Sequence, residues 1–194
     1  MKKVEVAVFQ EKKKGTPYCG DSYFYIETDQ KLICAIADGL GSGEFAKESS
    51  QIVMDTIQNN LMLPEKQLFK ICNQRLMGRR GVVVGILRLD FITEHFTYSS
   101  IGNIGLIIVS NDKRKKRNIP NRGYLAGYER PFGVMKGKFT KQTNFIMFSD
   151  GVEETELSQP FLLYEDVEDL VKTFGIVSNS SRADDTTLVA MRYK

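Results

Sequence analysis

The sequence is poor in the residues from which many sites are built. Among 194 residues there is one histidine, His95. A single imidazole removes most histidine-rich zinc designs. Cysteine is limited to Cys19, Cys34 and Cys72. The number is odd, the spacings are wide and no C-x-x-C occurs. Neither a disulfide framework nor a zinc site is expected, and a reducing cytosol fits. No apolar run approaches the roughly 18 residues of a membrane span. Met1–Gln10 carries Glu5 inside its apolar residues and has no cleavage site, so no signal peptide is expected. Charge of one sign is also scarce: 27 Lys and Arg stand against 24 Asp and Glu, a formal net charge of +3. Without a global basic field, wholesale nucleic-acid binding is not expected.

What is present belongs to an ordinary globular protein, 42% hydrophobic and 26% charged. The length predicts one domain over residues 1–194, large enough to bury a core without staples. Val4–Phe9 alternates as a strand, and Tyr23–Ile26 is aromatic and β-branched. Leu32–Ala37 is a continuous apolar run, as in a strand buried on both faces. From Glu44 the apolar period becomes helical, through Phe45, Ile52, Val53, Ile57 and Leu61. A second helix follows Pro64, with Leu68, Phe69, Cys72 and Leu76 on its apolar face. Gly81–Phe91, His95–Ile101, Gly105–Val109, Phe145–Phe148 and Thr186–Met191 read as strands. Leu163–Phe174 reads as a helix. Asn111–Arg122 reads as a polar, basic loop. Many strands with grouped helices imply an α+β fold rather than alternating βαβ units.

Acidic residues recur at the ends of these strands. Asp21 follows Gly20 in an expected turn. Asp38 ends a buried strand and enters Gly39-Leu40-Gly41-Ser42-Gly43. Asp150 ends another strand, and Asp184 and Asp185 precede the last one. Aspartate is a poor strand residue, and burying it needs compensation. For any one of them, a turn or cap role is the simpler explanation. The joint pattern favours a cluster of oxygen ligands for hard dications.

The order Gly-Asp-Ser, Ala-Asp-Gly-x-Gly, Ser-Asp-Gly-Val and Asp-Asp-x-Thr resembles the metal-dependent PPM-type protein serine/threonine phosphatases, in their bacterial sporulation-phosphatase-like branch. The resemblance runs from Gly20 to Val189. It is carried by Cys19–Phe24, Leu32–Gly43, Glu48-Ser49-Ser50, Phe96-Thr97-Tyr98, Gly102-Asn103 and Gly123-Tyr124-Leu125. It implies a central antiparallel β-sandwich flanked by helices, with two Mn²⁺ or Mg²⁺ ions at one end. Asp38 would bridge both ions, and the Gly39 carbonyl would ligate one. Asp21, Asp150 and Asp184 would complete the ligands, directly or through water. Asp38, Asp150 and Asp184 would be the catalytic carboxylates. Asp185 falls where many relatives have Asn, and is assigned a supporting place behind the ligands. The resemblance also implies phosphoserine or phosphothreonine substrates on STAS-domain regulators of the stressosome, in feedback control of the general stress response. The expected protein is a cytoplasmic monomer that engages neither nucleic acid nor membrane.

Three positions depart from the family pattern. Leu40 stands where many larger relatives have His, so a leaving group would take its proton from water, another group or the substrate. Gly20 stands where an acidic residue or Gln is common. Lys12, Lys13 and Lys14 occupy the segment where an arginine often grips phosphate, and read more simply as a solvated turn. Two rival functions remain at this level: a phosphatase for a phosphorylated anti-anti-sigma factor, and a degenerate, non-catalytic binding module. Thr186 and Thr187 are assigned to the last strand rather than the chemistry. Lys113–Arg117 reads as a solvated hairpin loop, with docking to an acidic partner as its functional alternative. Gly123–Gly133 is expected to shape substrate access.

Overall fold

The computed structural model describes residues 2–178 and 182–194. Among these residues the strands are β1 (Val4–Glu11), β2 (Asp21–Glu27), β3 (Lys31–Gly39), β4 (Val82–Asp90), β5 (His95–Ile101), β6 (Gly105–Val109), β7 (Lys115–Arg117), β8 (Gly133–Lys138), β9 (Asn144–Phe148) and β10 (Thr186–Tyr193). The helices are α1 (Glu44–Gln58), α2 (Glu65–Arg75), α3 (Glu154–Leu157) and α4 (Val167–Val177). The strands pair antiparallel in two five-stranded sheets, ordered β1-β10-β9-β6-β7 and β2-β3-β4-β5-β8.

Side-chain alternation builds four layers from these two sheets. In β3, Leu32, Cys34 and Ile36 face the space between the sheets, where they meet Leu106, Phe145, Met147 and Val189. The intervening Ile33, Ala35 and Ala37 face α1 and α2, packing with Val53, Ile57, Leu68 and Cys72. The unbroken apolar run is therefore a strand with helices on one face and a sheet on the other. The second sheet repeats the scheme. Ile146, Phe148, Leu188 and Ala190 turn outward to Leu170 and Phe174 of α4. Arg88, on the helix face of β4, donates to the carbonyls of Leu61 and Leu63 and pairs with Glu65 at 2.9 Å. That ties the α1–α2 connection to the sheet.

The α+β sandwich flanked by helices agrees with the expected architecture, and four local features differ. Asp21 opens β2 rather than sitting in a turn. The basic segment contains a short edge strand, β7, paired with β6. β8 had no sequence signal, because Val134, Lys136 and Lys138 are exposed and two of its six residues are glycine. The last helix starts at Val167, not Leu163. Pro160–Leu163 forms a 3₁₀ turn, and Asp166 caps the helix by accepting from the amides of Glu168 and Asp169.

At Gly39 the α1 backbone approaches β3 so closely that a Cβ would lie 2.1 Å from the Ala46 carbonyl oxygen. Nothing flexible stands there to yield. Gly39→Ala is expected to destabilise the fold by about 3 kcal/mol through overpacking, measured by chemical denaturation. An unchanged denaturation midpoint would refute this contact.

Candidate metal centre

The β2–β3 register sets Asp21 directly opposite Asp38. Opposed residues share a face of the sheet, and like charges there repel. Asp21 is fully buried. Its Oδ2 accepts from the hydroxyls of Ser149 and Thr187, each at 2.7 Å, whereas its buried Oδ1 has no partner among the described residues. Burial pushes the Asp21 carboxyl up to about 6, against the two hydroxyl bonds. Asp38 rises to about 9, first from burial and then from the charges of Asp21, Asp150, Asp184 and Asp185. All five aspartates thus belong to one electrostatic neighbourhood.

The remaining acids arrive from the other sheet. The Ser149 amide donates to the Thr187 carbonyl at 3.0 Å, extending β9–β10 pairing past Phe148 and bringing Asp150 alongside. Asn103 Nδ2 donates to Asp150 Oδ2 at 2.8 Å. Burial still raises the Asp150 carboxyl, with Asp184 adding to the effect. Asp184 is exposed, and the Lys13 ammonium lies 4.0 Å from its Oδ1. Asp185 is buried and turned toward backbone: its two oxygens accept from the amides of Lys13 and Gly20, each at 2.8 Å. That geometry suits a residue which fixes the loop before Asp21.

Several supporting residues escape sequence reading. Ser149 and Thr187 orient Asp21, although Thr187 carries only a strand signal. Thr186 bonds the carbonyls of Gly151 and Asp184. Lys47, on the first turns of α1, donates to the Asp21 carbonyl at 3.0 Å and the Ser22 hydroxyl at 2.9 Å. Arg182 is buried, donates to the Gly151 carbonyl at 3.3 Å and pairs with Glu156 at 3.1 Å. The motif position of Ser149, immediately before Asp150 at a strand end, was the one available clue. Arg80, absent from the predicted set, places its Nη1 3.4 Å from where a Cβ on Gly41 would lie.

Among the described residues, no three His, Cys, Asp or Glu side chains are already arranged around a common ion position. The donor chemistry nevertheless fits hard dications: clustered carboxylates, an unpartnered buried Oδ1 on Asp21, and glycine backbone beside Asp38. Cys19, the nearby thiol, is raised to about 12 by burial and by Asp21 and Asp185. It remains a thiol at neutral pH and is a poor nucleophile.

Residues 28–194 match the family described as Stage II sporulation protein E (SpoIIE). The phosphoserine phosphatase RsbX of Bacillus subtilis (strain 168) is 32% identical over 186 residues, covering 96% of this chain and 93% of that protein. A crystal structure of RsbX in complex with magnesium superposes with a TM-score of 0.88 at 31% identity, over 98% of this chain and 96% of the other. A chain from a structure described as the bacterial stressosome, a modular system adapted to control secondary messenger signalling, gives 0.87 at 25% identity. It covers 98% of this chain and all of its own.

Raised carboxyl pKa values have a thermodynamic consequence for the metal-free protein. The folded state holds protons that the unfolded chain releases near the ordinary value of 3.8. Stability is therefore greatest below that value and falls as pH rises through about 6 for Asp21 and about 9 for Asp38. Asp38→Asn in metal-free buffer should raise the unfolding midpoint near pH 8, by about 2–4 °C per kcal/mol of repulsion relieved. It should also flatten the midpoint's decline with pH. A lower midpoint than wild type would contradict the electrostatic account.

Proposed function

The chain belongs to the SpoIIE family, within the PPM-type protein phosphatases, and from that premise we propose a metal-dependent protein-serine/threonine phosphatase of stress signalling. Its substrates are phosphorylated STAS-domain proteins of the stressosome, and its role is to reset the general stress response. It works in the cytoplasm as a single-domain monomer. Among the described residues, no helix is long and apolar enough to cross a membrane.

One observation carries the chemical reading: buried Asp21 faces Asp38 across β2–β3, within range of Asp150 and Asp184 from the opposite sheet. Such a cluster repels itself until positive charge arrives. Asp38 and the Gly39 carbonyl would help to hold two Mn²⁺ or Mg²⁺ ions. Asp150 and Asp184 would hold them from the other sheet, and Asp21 would do so directly or through water. When bound, the ions supply charge for the phosphoryl oxygens and acidify water for in-line attack on phosphorus.

The chain's own groups do the rest. Ser149 and Thr187 hold Asp21 in one rotamer, with its free Oδ1 available. Asn103 orients Asp150. Asp185 holds the Lys13 and Gly20 amides, so the segment before Asp21 stays in place. Lys13 lies beside Asp184 and Arg80 beside Gly41, two cations that would meet an incoming phosphate dianion. Leu40 brings no proton donor, so the departing oxygen takes its proton from water, another group or the substrate.

Purified phosphorylated STAS-domain regulators and a phosphorylated anti-anti-sigma factor, incubated with and without Mn²⁺, test this reading. Phosphate release should require the metal and favour the stressosome proteins. Asp38→Asn should lower turnover on the order of 10²–10³-fold or more while the protein stays folded. No release from any phosphoprotein in Mn²⁺ or Mg²⁺, by folded protein, would overturn it.

A further inference from the structure

β7 closes one sheet and β8 the other, and residues of both edge strands line one groove. Among the described residues, β7 pairs only with β6 and β8 only with β5, so each presents a free backbone edge. Between them runs a groove of about 470 Å³, lined by Lys116, Arg117, Ile119, Val134, Met135 and Lys136. Its rim is basic. Arg114 pairs with Asp112 at 3.1 Å and Arg117 with Glu154 at 2.6 Å. Among the described residues, Lys113, Lys115, Lys116, Lys136 and Lys138 make no ion pair. Its apolar part is open to solvent, with Ile119 87% and Val134 50% exposed. A chain of net charge +3 thus sets five unpaired lysines on or beside these two edge strands, with Lys116 and Lys136 in the groove lining itself.

We propose that this groove docks an acidic, extended segment of the phosphoprotein substrate. The inference rests on the phosphatase reading above. Free strand edges supply backbone hydrogen bonds to an extended chain, and the lysines select for carboxylates. The groove also leads from the proposed centre. Gly133 pairs with Ser100, just before Ile101, Gly102 and the Asn103 that holds Asp150. Lys138 pairs with His95, five residues further along, about 17 Å away at strand rise. A substrate with its phosphoserine at the carboxylates would lay flanking sequence along this side. Lysines on edge strands also deter self-pairing. That role alone would leave substrate preference unaffected.

The test uses the full chain and its Lys115→Glu/Lys116→Glu/Lys136→Glu variant. The probes are a phosphoserine peptide joined by a Gly/Ser spacer to a tract of glutamates, its glutamine counterpart, and p-nitrophenyl phosphate. Wild type should favour the glutamate peptide about tenfold in kcat/KM at low salt, through KM, as several exposed charge pairs would give. The preference should shrink at about 0.5 M salt, where screening shortens to a few ångströms. The triple variant should lose it while hydrolysing p-nitrophenyl phosphate at the wild-type rate. Fluorescence anisotropy of the unphosphorylated glutamate peptide should show the same loss of binding. Equal handling of both peptides by wild type, or a preference that survives in the variant, overturns the proposal. So does a basic edge that binds duplex DNA, anionic vesicles or a second copy of the chain in place of the peptide. Failure on p-nitrophenyl phosphate as well would instead count against the phosphatase reading.

Discussion

Two carboxylates meet across β2 and β3, and the surrounding structure is organised around holding them there. Asp21 is fully buried, and Asp38 is raised to about 9. Left alone, such a pair would push its strands apart or keep a proton. Each neighbouring element restrains that tendency in a different way. Hydroxyls of Ser149, just past β9, and of Thr187 in β10 grip one oxygen of Asp21. Lys47 of α1 holds the adjacent backbone. The close approach of Ala46 to Gly39 leaves the end of β3 no room to move. The cluster is thus costly to fold and cheap to charge with cations, as a preorganised electrostatic site should be.

The legible parts of the fold were those with two buried faces. β3 showed as an apolar run because one set of its residues serves the sandwich and the other serves the helices. Asp38 was visible for the same reason: nothing but a special role explains a carboxylate ending such a run. The edge strands were not legible. β7 is three exposed basic residues, and β8 alternates small or flexible residues with exposed ones. Their strand character comes from pairing with β6 and β5, which no local pattern encodes. α3 spans four residues and rests on a capping box between Glu153 and Glu156.

Within the site, sequence order revealed the acids but not their supports. Hydroxyls at Ser149 and Thr187 read as ordinary strand-end residues, because alternation does not say which partner a hydroxyl meets across sheets. The acid pair Asp184-Asp185 was divided by resemblance, and the geometry divides it again on physical grounds. One is exposed beside Lys13, and the other spends both oxygens on backbone amides. Lys12–Lys14 is more than a solvated turn, since the Lys13 backbone is held by Asp185.

The β1–β10 ladder, which joins Val4 to Tyr193 and Glu11 to Thr186, gives the molecule a particular order of assembly. β10 lies between β1 and β9, so neither has its full pairing until the last strand arrives. Thr187 and Asp185 come with it, and with them the grip on Asp21 and the loop before it. A chain that has reached only α4 already carries Asp21, Asp38 and Asp150, but lacks the Thr187 hydroxyl and the Asp185 carboxylate that hold Asp21 and the segment before it. Fraying of β10 would therefore release the grip on Asp21 and at the same time uncover Leu170 and Phe174 of α4, which pack against Leu188 and Ala190.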